Sequence, residues 1–138
     1  MFLLDTNVLS DATKLSPHPG VSQWLADKPA SMLFISAMTV AEAGYGAERL
    51  VPGRKAANLR AWLDEVIVEF GERVLPVDVE VAKAQARIRR AAENARRTMP
   101  SIDAFLAATA EVHGLTLVTR NVRDFEAWGG PVLDPWSA

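Results

Sequence analysis

The amino-acid sequence predicts an α/β fold in which helices connect the strands of a mostly parallel sheet. Three observations carry that expectation. Short apolar runs of strand length alternate with longer segments whose apolar residues recur every three or four positions, the pattern of βαβ units. The first run, Phe2-Leu3-Leu4, has no polar alternation, as suits a central strand covered on both faces. About half of the 138 residues are apolar, enough for the core of a single domain over residues 1–138 and too short a chain for two.

The first strand, Phe2 to Asp5, ends on a carboxylate followed by two small hydrogen-bonding side chains, Thr6 and Asn7. The stretch from there to Met32 is less regular. Within it, Pro19 and Gly20 open a short segment with Val21, Trp24 and Leu25 on one helical face, expected to pack on the sheet. Met32 to Ser36 reads as the second strand and Thr39 to Arg49 as the helix after it, with Pro52 and Gly53 marking a break. The next helical run places Leu59, Trp62, Leu63, Val66, Ile67 and Phe70 in one broad apolar stripe, with Gly71 its terminator. That stripe reads either as core or as a protein contact.

Val74 to Val77 gives the third strand. A long helix follows from Val79 to Arg97, with Val81, Ala84, Gln85, Ile88 and Ala92 facing inward. On its other side Lys83, Arg87, Arg90 and Arg97 recur at intervals of four, three and seven, which aligns them along one face. Such a face is either solvated or a track for phosphates, and these four are the candidate phosphate contacts. Pro100 and Ser101 open a helix that ends at His113 and Gly114. Thr116 to Thr119 is the fourth strand, TRNVRDF turns into a short helical segment, and Val132-Leu133 is the fifth.

Several functional classes are excluded. Cysteine is absent, so there is no disulfide framework and no thiolate site, in keeping with a reducing cytoplasm. The two histidines, His18 in SPHPG and His113 before Gly114, have no metal-ligand partners at suitable spacing, and His113 suits the C-terminal end of a helix dipole. No signal-peptide pattern or membrane-length apolar run is found. A formal charge of −2 offers no general attraction to nucleic acid.

Four acids remain: Asp5, Glu42, Asp103 and Asp124. Each has a local role open to it. Asp5 suits a turn or a helix cap, and Thr39-Val40-Ala41-Glu42 matches a capping box. Asp103 suits the first turn of a helix, and Asn121 to Asp124 resembles another cap. Topology brings them together, because in right-handed βαβ units strands end and helices begin at the carboxyl edge of the sheet. All four project there, and they converge if the first and fourth strands are neighbours.

Clustered carboxylates repel, which raises pKa values and invites a divalent cation. Hard oxygen ligands without histidine or cysteine select Mg²⁺ or Mn²⁺, and the chemistry this suits is metal-assisted phosphodiester hydrolysis. Thr6, Asn7, Ser36, Thr119 and Asn121 are placed to hold the carboxylates and waters.

At these residues LLDTNVLS, ISAMTVAEAGYG, SIDAFLAATAEVHGLTLVTRNVRDF and the closing VLDPW together resemble the PIN-domain ribonuclease toxins of type II, VapBC-type toxin–antitoxin modules, in their FitB-like branch. The resemblance covers almost the whole chain. It implies a three-layer α/β/α sandwich around a sheet of four to five strands, with the acidic site at Asp5, Glu42, Asp103 and Asp124. It also implies a Mg²⁺-dependent endoribonuclease, cytoplasmic and homodimeric, inhibited by a small antitoxin that binds operator DNA. Two departures stand out: Asp134 replaces an Asn in the closing motif, and Ile102 stands where a small residue is common, so it bears on how Asp103 is aimed.

Two other readings compete. An aspartate-nucleophile phosphatase would want a second acid two residues after Asp5, where Asn7 stands. A catalytically silent PIN-like binding module would act only through its partner protein, by way of the stripe from Leu59 to Phe70.

Overall fold

The computed structural model describes residues 1–137, and in it five parallel strands form one sheet in the order β3-β2-β1-β4-β5. β1 (Phe2–Leu4) is central, with β2 (Leu33–Ser36) and β3 (Val74–Leu75) on one side and β4 (Thr116–Val118) and β5 (Val132–Leu133) on the other. Leu3 pairs with Leu117 and Leu4 with Val118, so the first and fourth strands are neighbours. That adjacency is the condition on which convergence of the acids depends.

Successive side chains of a strand point to opposite faces, and β1 feeds two cores. Leu3, Leu75 and Leu117 pack with residues of α5 (Val79–Asn94) and α6 (Ser101–His113) and with Phe125. Leu4, Leu33, Ile35 and Val118 pack on the opposite face with Val8 of α1 (Thr6–Asp11), Val21 of α2 (Pro19–Ala26) and Val66 of α4 (Arg54–Phe70). α3 (Ala37–Glu48) packs against α4 and touches α1 and α6. The result is the expected three-layer sandwich. Each fully buried Leu or Val stabilises it by about 1.5–3 kcal/mol.

Four local details differ from the sequence expectation. Residues 6–11 form α1, six residues being too few to show a helical period, and Asp5 caps it. α3 begins at Ala37, because Ser36 rather than Thr39 provides the cap. β3 stops at Leu75, since Pro76 has no N–H to offer the ladder. α5 ends at Asn94: Arg96 adopts a left-handed φ of 58°, and the Arg97 N–H returns to the Ala92 carbonyl at 2.8 Å. The five inward residues expected of α5 are all buried.

The α4 stripe divides. Val66 is buried, Trp62 and Phe70 pack half-buried on the same core, and Ile67 is exposed. Among the described residues no helix is long and apolar enough to cross a membrane.

Candidate active site

At the carboxyl end of β1 the strand order reverses, β2 lying on one side and β4 on the other, and open α/β sheets bind ligands in such a crevice. Asp5 stands there as the N-cap of α1. Its Oδ1 accepts from the Thr6 N–H at 2.7 Å and its Oδ2 from the Thr119 hydroxyl at 2.8 Å. Burial pushes the Asp5 carboxyl above its ordinary range; the Thr119 and Thr6 hydrogen bonds oppose that rise, and the charge of Asp124 adds to it.

Glu42 projects from α3. The capping box that would have bound it to the backbone does not form, because the Ser36 hydroxyl accepts from the Met38 N–H at 3.0 Å and the helix starts before Thr39. Thr39 is buried one turn in, and its Oγ1 has no hydrogen-bond partner among the described residues. Glu42 instead accepts from the Thr6 hydroxyl at 3.0 Å. Burial raises its pKa, the Thr6 hydrogen bond lowers it, and the charge of Asp5 raises it again.

Asp103 lies in the first turn of α6, where the helix dipole favours a negative charge by about 0.3–1 kcal/mol. The dipole does not prevail. Burial, then the charges of Asp5, Asp124 and Glu42, push the Asp103 carboxyl up to about 6. All three other acids act on this one group, so the four share one electrostatic neighbourhood. Asp124 reaches it from the short 3₁₀ turn Val122–Phe125, whose first bond is a backbone one, from the Asp124 N–H to the Asn121 carbonyl at 3.0 Å.

Thr119 ties the two loops of the site together. Its hydroxyl donates to Asp5 and accepts from the Asn7 amide at 3.3 Å and the Asn121 N–H at 3.0 Å, in full burial. Asn7 Oδ1 in turn accepts from the Arg120 N–H at 3.4 Å. Of the five expected supporting residues, Thr6, Asn7 and Thr119 act through side chains and Asn121 through its backbone. Ser36 serves α3 as its cap.

The donor set is hard: carboxylates flanked by hydroxyls, with no imidazole or thiolate, which fits Mg²⁺ or Mn²⁺. A cation also relieves the repulsion that raises Asp103. Among the described residues, no three acidic or histidine side chains are already gathered into a group that would hold an ion. Asp5 and Glu42 are turned toward their hydroxyl partners, so ligation would require the carboxylates to draw in.

The basic stripe of α5 is engaged elsewhere. Lys83 pairs with Glu80 at 3.7 Å, Arg87 with Glu111, Arg90 with Glu93 at 3.5 Å, and Arg97, beyond the helix end, with Glu126 at 2.7 Å.

Comparison with known proteins decides the family. The PIN domain model matches residues 2–129. This chain belongs to the PIN-domain family. Within that family it is similar to Toxin FitB of Neisseria gonorrhoeae, at 37% identity over 99% of each chain. It is 33% identical to the VapC ribonuclease Y4jK of Sinorhizobium fredii, over 99% of this chain and 98% of that one. These relatives place the PIN domain among the VapC and FitB toxins. The solved structure of FitAcB from N. gonorrhoeae superimposes with a TM-score of 0.94 at 36% identity, covering 100% of both chains. FitAB bound to an IR36 DNA fragment gives 0.91 at 36% identity, covering 99% of this chain and 96% of that one.

The two departures from the family pattern resolve simply. Ile102 is 37% exposed and lies at the surface of the first turn of α6. Asp134 holds the closing turn: Oδ1 accepts from the Trp136 N–H at 2.8 Å and Oδ2 from the Ser137 hydroxyl at 2.9 Å, two bonds that use both carboxylate oxygens. Sequence reasoning missed Asp11, which is buried and accepts from the His18 N–H at 2.9 Å. Its signal was hidden because α1 itself was not visible.

Proposed function

We propose that this PIN domain is a metal-dependent endoribonuclease, the toxin of a type II toxin–antitoxin module, which hydrolyses RNA phosphodiester bonds at the carboxyl edge of its sheet. One observation carries the reading: Asp103 feels the charge of Asp5, Glu42 and Asp124 together, in a chain whose full-length relatives include a VapC ribonuclease. Those four acids would hold the ion, Mg²⁺ or, as a substitute, Mn²⁺. When bound, such an ion supplies Lewis-acid polarisation of the phosphate and a water acidic enough to attack near neutral pH.

The residues of the chain divide the remaining work. Thr119 and Thr6 restrict the Asp5 and Glu42 carboxylates. Asp103 and Asp124 make no side-chain hydrogen bond among the described residues and are free to swing toward a shared charge. In the metal-free protein Asp103 keeps its proton up to about pH 6. Burial of Asp5 lowers the local dielectric and so strengthens each of these electrostatic interactions.

The partners follow from the same reading. Solved neighbours include a toxin–antitoxin complex from Klebsiella pneumoniae and DNA-bound VapBC from Salmonella typhimurium. For this chain we infer a small antitoxin that inhibits it and carries it to operator DNA, a homodimer of PIN subunits, and action on RNA in the cytoplasm.

The test is digestion of total cellular RNA by the wild type and Asp5→Ala, in EDTA, Mg²⁺ or Mn²⁺, with new 5′ ends mapped. Cleavage that needs metal and is confined to the wild type is expected. Equal activity of the two proteins would sink the acidic site, and a wild type that makes no new ends would leave a silent binding module.

A further inference from the structure

Beside the acidic site lies a cleft of about 450 Å³, lined among others by Asp11, Lys14, His18, Arg120 and Trp136. That volume is within the range of small-ligand sites. The cleft is built from three segments distant in sequence. Arg120 directly follows Thr119, whose hydroxyl bonds Asp5, and the Arg120 N–H is held by Asn7. Its guanidinium lies 5.4 Å from the centre of the Trp136 ring, within cation–π range. Trp136 is set by the Asp134 turn. The His18 ring stands 6.4 Å from Trp136, and its Nδ1 is taken by the Gly20 N–H at 3.1 Å, leaving Nε2 as the remaining ring nitrogen.

The cleft wall is fixed. Asp11 receives the His18 N–H and pairs with Lys14 at 3.4 Å, which pins the loop between α1 and α2. A Cβ on Gly20 would lie 3.2 Å from the Pro135 carbonyl oxygen, so this loop sits against the closing turn.

Its charge gives the cleft a purpose. Four carboxylates repel an RNA strand, so binding energy must come from cations beside them. Lys83, Arg87 and Arg90 of α5 are paired with glutamates; Arg120 forms no ion pair among the described residues and lies over an aromatic ring. Single-stranded nucleic acid is held by that combination, a base against an aromatic or guanidinium plane and a cation at the backbone.

We propose that this cleft is a nucleotide subsite for the RNA strand being cut, with the base against the Arg120–Trp136 pair, His18 at its edge, and Arg120 holding the phosphate that flanks the acidic site. This rests on the ribonuclease reading, and its test is kept separate by measuring binding instead of cleavage.

In an Asp103→Asn background, a fluorescein-labelled single-stranded RNA of mixed sequence, 12 nucleotides long, is titrated and followed by anisotropy. Arg120→Ala and Trp136→Leu are each expected to raise Kd about ten-fold, while Trp136→Phe keeps it within about three-fold. Arg120→Ala also makes the dependence of log Kd on log salt shallower by about 0.7. Trp136 borders the core, so thermal melts accompany its variants; Arg120 is exposed, and its result stands even if Trp136→Leu unfolds. The subsite is overturned if the Asp103→Asn protein does not bind this RNA, or if Arg120→Ala leaves Kd and salt slope unchanged. Digestion of total RNA by the wild type decides the ribonuclease reading independently.

Discussion

Two charged regions of this molecule treat their charges in opposite ways. At the carboxyl edge of the sheet, Asp5 and Glu42 have hydroxyls and a backbone amide as partners, Asp103 and Asp124 have no side-chain hydrogen bond, and no base pairs with any of the four among the described residues. Along and just beyond α5, each of Lys83, Arg87, Arg90 and Arg97 has a glutamate. The pKa shifts record the contrast: burial and like charges push Asp103 up to about 6, whereas the hydrogen bond and charge of Arg97 hold Glu126 below its usual range. Exposed pairs of the second kind contribute little to stability and are screened by salt. An unbalanced, half-buried cluster costs stability, and folds retain such sites where function needs them.

The sharpest way to break this comparison is at Asp5. Asp5→Ala removes the acid bound to both loops and should reduce RNA cleavage by on the order of 10³-fold or more, the several kcal/mol that metal-assisted charge stabilisation supplies. A metal titration of cleavage rates measures it, and a loss below ten-fold would place the chemistry elsewhere. Thr119→Val comes next. It keeps the shape but strips Asp5, Asn7 and Asn121 of their shared hydroxyl, so activity should fall about 10- to 100-fold. Stability should drop by about 1–3 kcal/mol in denaturant melts, since buried polar groups lose their partner.

The electrostatic cost should also be visible without RNA. Asp103 has a folded pKa of about 6 against an ordinary 3.8, so the folded state binds more protons between those values. Its contribution to stability is fully present below about pH 4 and is lost as pH rises through about 6. Asp5 and Glu42 shift in the same direction. In EDTA, the wild-type Tm should therefore fall across this window, and Asp103→Asn should flatten the fall and raise Tm at pH 7 by about a few degrees. Saturating Mg²⁺ should stabilise the wild type and do less for the variant. A fall with pH that Asp103→Asn leaves intact would show that the acids do not share one field.

How much of this was legible in the sequence depended on the range of the interaction. β1 declared itself by an unbroken apolar run, α5 by its period, and the end of α6 by Gly114, which adopts φ 65°. The four acids could be assigned to one edge from topology alone. Their convergence rested on β1 lying beside β4, a pairing between residues more than a hundred positions apart that no local pattern encodes. Ser36 and Thr39 both suit a cap; the helix begins at Ala37 with the Ser36 hydroxyl as its cap, and Thr39 lies inside the first turn. Arg97 fitted the α5 stripe by spacing, but the helix stops at Asn94 and carries it toward Glu126 instead. The Arg120–Trp136 cleft draws on three separate segments, so no single motif could announce it.

The smallest expected effect tests the other half of the comparison. Neutralising the α5 bases would make the whole chain more acidic and weaken RNA binding for that reason alone, so the informative variants exchange partners. Arg97→Glu with Glu126→Arg, and Lys83→Glu with Glu80→Lys, preserve the net charge of −2 and reverse each pair. If these bases serve their glutamates, each exchange leaves stability within about 0.5 kcal/mol and the RNA Kd within about two-fold, with the salt slope unchanged. A base that contacts phosphate would instead lose its counterion release when moved, and the slope would fall by about 0.7. An exchange that costs as much as Arg120→Ala would make the α5 face a phosphate track and erase the distinction between the two regions.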